Sequence, residues 1–145
     1  MPTASDLLRL KTADVYTIES TATVLAATRE MNNHRVGALL VMVDDRLEGI
    51  FTERDVLTRV VAQGRDPSTT LTSQVMSTDL FCCEPDTDLD EIAEAMRKRR
   101  IRHVPVRQPD GQVAGIISIG DVNAFRVNQK QATIDGLCGY INQRA

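Results

Sequence analysis

The chain has 145 residues, of which 42% are hydrophobic and only 3% aromatic, with no Trp and a net charge of −3. That length suits one compact domain or two small fused repeats with an aliphatic core, and the charge gives no global attraction to nucleic acid or an anionic membrane. The longest apolar run, residues 39–43, is far too short to span a bilayer, and residues 1–10 show no signal-peptide run, so a soluble, cytoplasmic protein is expected.

Residues 5–10 predict a short leading helix and residues 15–18 a strand. Val24, Ala27, Thr28 and Met31 follow at helical spacing, and His34 and Arg35 end that helix. Residues 36–43 read as a continuous apolar strand, Asp44-Asp45-Arg46 as a turn, and residues 47–51 as the return strand. Thr52 caps a helix with Val56, Leu57, Val60 and Val61 on its inner face, and Gly64 ends it.

The order then repeats. A helical turn at 73–76 precedes a strand at 80–83. Next comes a helix with Leu89, Ile92, Ala93 and Met96 inward and a capping box of Asp88 and Glu91. Strands at 104–107 and 113–117 flank a turn at 109–111, and Ser118 caps the last helix. Met31 matches Met96, and Val41 matches Val106, at a shift of 65, while Gly49 matches Gly115 at 66. The added residue falls in the second hairpin turn, where insertion is tolerated. The reading is an α/β fold of two β-α-β-β-α repeats about a pseudo-two-fold axis. Its boundaries are a helical lead 1–10, a first repeat 11–64, a connector 65–71, a second repeat 72–127 and a helical extension 128–145.

One device occurs at matching places in both repeats: a short apolar strand running into Thr52-Glu53-Arg54-Asp55, and another into Ser118-Ile119-Gly120-Asp121. A hydroxyl followed three residues later by an acid is a capping box, which needs no ligand. The doubled context points instead to paired binding sites. In that context, residues 36–41 with 49–55, and 101–106 with 115–121, resemble a tandem cystathionine-β-synthase-type (CBS) domain pair, or Bateman module, of the stand-alone bacterial kind. The resemblance covers residues 5–127; Leu40 stands where the family usually has Pro.

The resemblance implies a regulatory module that binds adenosine compounds (AMP first, then ADP, ATP, NAD or S-adenosylmethionine) and does not catalyse. Asp55 and Asp121 would accept the two ribose hydroxyls in charge-assisted bonds, with Thr52 and Ser118 on ribose or phosphate oxygens. The free amides of the helix start favour a nearby phosphate by roughly 0.3–1 kcal/mol, and Gly120 leaves that start uncovered. Family geometry implies crossed sites. Lys11, Tyr16, Arg35, Val36, Gly37 and Ala38 would wall the Asp121 site, and Leu80, Phe81, Ile101, Arg102 and His103 the Asp55 site. The Asp121 site should bind more tightly, because Glu53 repels phosphate beside Asp55 while Arg54, Arg102 and His103 can meet phosphates extending across the cleft.

Arg97, Lys98, Arg99 and Arg100 read as a solvated helix end that complements the dipole, with no aromatics interleaved for nucleic-acid binding. Cys82 and Cys83 are neighbours on a strand, so they point to opposite faces and cannot chelate together; no metal is expected. No nucleophile–base pair stands out, so no enzyme is expected. Val122 and Phe125 belong to the core, whereas Ile134, Leu137 and Ile141 form a second apolar stripe that predicts a homodimer. The output would act in trans on a protein effector whose identity the sequence leaves open. The rival reading is a ligand-free dimerisation scaffold.

Overall fold

The computed structural model describes the backbone of residues 1–11 and 15–144 and the side chains of those residues through 131. Its elements run α1 (Ala4–Leu10), β1 (Thr17–Glu19), α2 (Val24–His34), β2 (Ala38–Val43), β3 (Arg46–Thr52), α3 (Glu53–Asp55) and a π-helical segment (Val56–Val61). They continue with α4 (Thr72–Val75), α5 (Leu89–Arg99), β4 (His103–Arg107), β5 (Val113–Ser118) and α6 (Ile119–Arg144). The apolar stripe Ile134, Leu137 and Ile141 lies outside the described side chains.

The repeats match in register as well as in order. β2 pairs antiparallel with β3, Ala38 opposite Thr52, and β4 with β5, His103 opposite Ser118. Each hairpin carries its irregularity at the same place, between Val41 and Met42 and between Val106 and Arg107. The first hairpin turns on Asp44 (φ 48°) and Asp45 (φ 65°), the left-handed pair that a two-residue turn requires and that Asp tolerates.

β1 adds to the first sheet in parallel, Thr17 opposite Leu40. The predicted strand at 80–83 does not form; of it only Cys83 joins the second sheet, its N–H bonding Pro105 O (3.0 Å) and its carbonyl accepting from Arg107 N (2.8 Å). The ladder has nowhere to go on either side. Leu80 N–H turns back onto Thr78 O, Glu84 N–H is taken by Thr87 Oγ1, and Pro85 has no N–H to give.

Two helix expectations also need correction. Asp88 makes no side-chain cap, and the start of α5 is tied to the N-terminal segment by the Leu89 N–H, which donates to Pro2 O at 3.0 Å. Val60 is fully buried as foreseen, but Leu57 and Val61 are 63% and 62% exposed. The Ala62 N–H bonds Leu57 O and the Arg65 N–H bonds Val60 O, five residues back, so the 100° spacing that placed Leu57 and Val61 inward does not hold through this wider turn.

The helices that precede the repeats are exchanged. α1 is capped by Thr3 and Asp6 and buries Ala4 and Leu7 in the core of the second repeat, with Ile92, Met96, Val106 and Ile117. α4 buries Val75 in the core of the first, with Val24, Leu39, Phe51 and Val60. A third cluster, Ala38, Leu40 and Ile50 against Leu80, Val113 and Ile116, joins the two sheets.

Candidate functional site

The N-terminal ends of α3 and α6 open into one continuous cleft of about 1180 Å³. All the residues expected to contact ligand line it except Gly120: Lys11, Tyr16, Arg35, Val36, Gly37, Ala38, Thr52, Arg54, Asp55, Arg102, His103, Ser118 and Asp121. Leu80, Phe81 and Ile101 line it too. A Cβ on Gly120 would meet only Ser118 Oγ, at 3.6 Å, so that glycine stands in open space.

Both motifs are complete capping boxes. The Asp121 carboxylate accepts from Ser118 N (2.9 Å), and the Asp121 N–H donates to Ser118 Oγ (3.0 Å). Asp55 does the same with Thr52, at 2.9 and 3.3 Å. So does Asp6 with Thr3 at the start of α1, at 2.9 and 3.3 Å. Because Thr3 and Asp6 do not line the cleft, capping geometry alone distinguishes nothing. Position in the cleft does.

The exchanged helices complete the two acidic corners differently. Lys11, the C-cap of α1, donates from Nζ to Asp121 Oδ2 (2.8 Å) and to Ile116 O (2.7 Å). The Asp121 side chain keeps 26% exposure, and its Oδ1 takes no hydrogen bond from the described residues. Burial works to raise the Asp121 carboxyl, but the Lys11 ammonium and the Ser118 amide outweigh it and hold it below the ordinary carboxylate range. It is a fixed anion at neutral pH, with one oxygen unengaged by the described residues, and it lines the cleft.

Asp55 is more enclosed. Its side chain is 8% exposed, Oδ2 accepts from Thr52 N and Oγ1, and Oδ1 takes Ser77 Oγ at 3.2 Å and the Arg59 guanidinium at 3.5 Å. Ser77 was not foreseen; it lies just beyond the end of α4 and reaches the Asp55 corner from that helix, as Lys11 at the end of α1 reaches the Asp121 corner.

The repeats meet at the cleft centre. A Cβ on Gly37 would fall 3.0 Å from Glu53 Oε1 and 3.7 Å from His103 Nε2, so the two repeats approach closely at this glycine, and a larger residue would push the Glu53 carboxylate aside. Burial pushes the His103 imidazole below its usual range, and Lys11 and Arg102 reinforce this against Glu53 and Asp121. His103 is therefore neutral at pH 7 and can donate or accept.

The basic run divides. Arg97 and Lys98 pair with Glu94 at 2.6 and 3.6 Å, and Arg99 lies over the Phe81 ring at 4.7 Å, but Arg100 lines the cleft. Burial raises the Cys82 thiol and pushes Cys83 up to about 11, so both are protonated and unreactive. Among the described residues no cluster of His, Cys, Asp or Glu could hold a metal ion, and no helix is long and apolar enough to cross a membrane.

Comparison with known proteins agrees with this architecture. The CBS domain pattern matches residues 4–62 and 73–127. The CBS domain-containing protein YhcV of Bacillus subtilis is 34% identical over 121 residues, covering 83% of this chain and 85% of its own. A solved structure of a protein with CBS domains from Burkholderia ambifaria superposes with a TM-score of 0.84 at 33% identity, over 88% of this chain and 95% of that one. The Pyrobaculum aerophilum CBS domain protein PAE2072, solved in complex with AMP, has a TM-score of 0.74 at 27% identity, over 83% and 89%. Two matches to one domain pattern, at the two halves whose registers and cleft corners correspond, leave one conclusion: this chain belongs to the CBS-domain family and carries a pair of CBS repeats.

Proposed function

We propose that the protein is a regulatory module that binds an adenine nucleotide, AMP first and otherwise ADP, ATP, NAD or S-adenosylmethionine, and that it catalyses no reaction. The observation that carries this is the Asp121 corner: an ionised carboxylate whose Oδ2 is held by Lys11 and Ser118 and whose Oδ1 is unengaged by the described residues, at a cleft rich in cations. A ribose offers two adjacent hydroxyls to such an oxygen, and its 5′-phosphate suits Arg102 or Arg54. The AMP complex of PAE2072 supports the same ligand class. Ligand in the cleft would favour one arrangement of the repeats over another and so act in trans on a protein effector in the cytoplasm, with no nucleic acid or membrane involved.

AMP at tenfold its dissociation constant then stabilises the fold by roughly 1.4 kcal/mol, a few degrees in a thermal-shift assay. If no adenosine compound at millimolar concentration shifts the melting temperature, the ligand-free scaffold takes over. That second reading has its own support, since both motifs satisfy their helix ends without a ligand.

We also propose a homodimer. Leu57, Val61 and Val127 are each more than 60% exposed, and a second copy of the chain is the simplest cover for such side chains. Leu57→Glu combined with Val61→Glu should raise the dimer dissociation constant at least tenfold in light scattering. A double variant that dimerises like the parent would move the interface elsewhere.

A further inference from the structure

α2 and α5 end alike, and the manner of ending is unusual. Their C-cap residues, Arg35 (φ 55°, ψ 44°) and Arg100 (φ 55°, ψ 41°), adopt the left-handed conformation. Helices often end this way, but on Gly or sometimes Asn, because a Cβ is strained there. Apart from these two, the described non-glycine residues with positive φ are Asp44 and Asp45, which a tight hairpin turn explains. Arg35 and Arg100 stand 65 residues apart, the offset of the repeats, so the same departure occurs at two related positions. Both line the cleft, and neither has an ion-pair partner among the described residues.

We propose that Arg35 and Arg100 are paired phosphate contacts, one in each half of the cleft, kept as arginine at the expense of the helix ends they cap. This rests on the nucleotide reading above and narrows it: the module takes up two phosphate groups, as two mononucleotides or as one ligand carrying both. A cation near a helix C-terminus gains a little from the dipole, but a basic residue in the last turn supplies that without a strained C-cap, and α5 already carries Arg97, Lys98 and Arg99 there. A guanidinium gives a planar pair of donors matched to phosphate oxygens, and two of them related by the pseudo-two-fold axis match two phosphates.

The test uses the full chain and the variants Arg35→Gly and Arg100→Gly, with calorimetry on AMP and on adenosine, which lacks the phosphate. Without ligand, each variant melts at the parent temperature or up to about 4 degrees higher, since glycine relieves the strained backbone but loosens the unfolded chain. AMP affinity falls about tenfold in each variant, while adenosine affinity changes less than threefold. Unchanged AMP affinity in both variants, or equal losses for AMP and adenosine, would overturn the proposal. If the parent binds no AMP, it is the nucleotide reading that falls, and pyrophosphate then decides the arginine pair. Pyrophosphate binding weakened in both variants upholds the pair; no pyrophosphate binding, or binding the variants leave intact, sinks it.

Discussion

Asp121→Ala weakens AMP binding at least tenfold in calorimetry, and Asp55→Ala weakens it less. The asymmetry follows from what each carboxylate already holds. Asp121 has committed Oδ2 to Ser118 and Lys11 and leaves Oδ1 unengaged for a ligand, so the substitution deletes charge-assisted bonds worth about 1.5–3 kcal/mol each before water compensates. It also leaves the Lys11 ammonium with Ile116 O alone, no longer fixed at the corner. Asp55 has both oxygens engaged, by Thr52 on one side and by Ser77 and Arg59 on the other, at 8% side-chain exposure. Its loss therefore shows mainly in stability, on the order of 1–3 kcal/mol by denaturant titration, because buried donors are left unpaired. Equal losses of AMP affinity would make the corners equivalent, and a larger loss with Asp55→Ala would move the principal pocket to the first repeat.

Leu7→Ala destabilises the protein by about 2–5 kcal/mol and weakens AMP binding although Leu7 does not line the cleft. Leu7 is 3% exposed and packs, with Ala4, into the second repeat among Leu89, Ile92 and Val104. The cavity left behind loosens α1, and Lys11 caps α1 through N–H bonds to Leu7 O and Leu8 O. A shift there moves the ammonium away from Asp121. Denaturant titration read with calorimetry separates the effects. A large stability loss with AMP affinity unchanged would show that α1 is a structural strap and that Lys11 finds its corner without it.

The sequence by itself determined the order of elements and their register. A continuous apolar run and its return after the Asp44-Asp45-Arg46 turn marked β2 and β3, apolar spacing of 3.6 residues marked α2 and α5, Thr52 and Ser118 marked helix starts, and the offsets of 65 and 66 showed the duplication. These signals are local, or are local signals repeated. It also named most of the cleft through Asp55, Asp121 and the strands beside them.

Local signals misled where a neighbour in space competes with the pattern. Asp88 reads as a cap, yet its side chain makes no cap bond, and the N-terminal segment ties the first turn instead through the Leu89 N–H and Pro2 O. Leu57 and Val61 read as core, but the wider π turn exposes them. Residues 80–83 have strand composition, yet only Cys83 finds ladder partners.

Only the tertiary structure decided that α1 and α4 cross over. Seven- and four-residue helices bury too little to stand alone, so each goes where apolar surface is open, and that surface lies on the repeat it does not precede. The exchange sets Lys11 against Asp121 and Ser77 against Asp55. Two corresponding capping motifs thereby become unequal corners, one with a free carboxylate oxygen and one with both engaged, because their partners arrive from opposite halves of the chain.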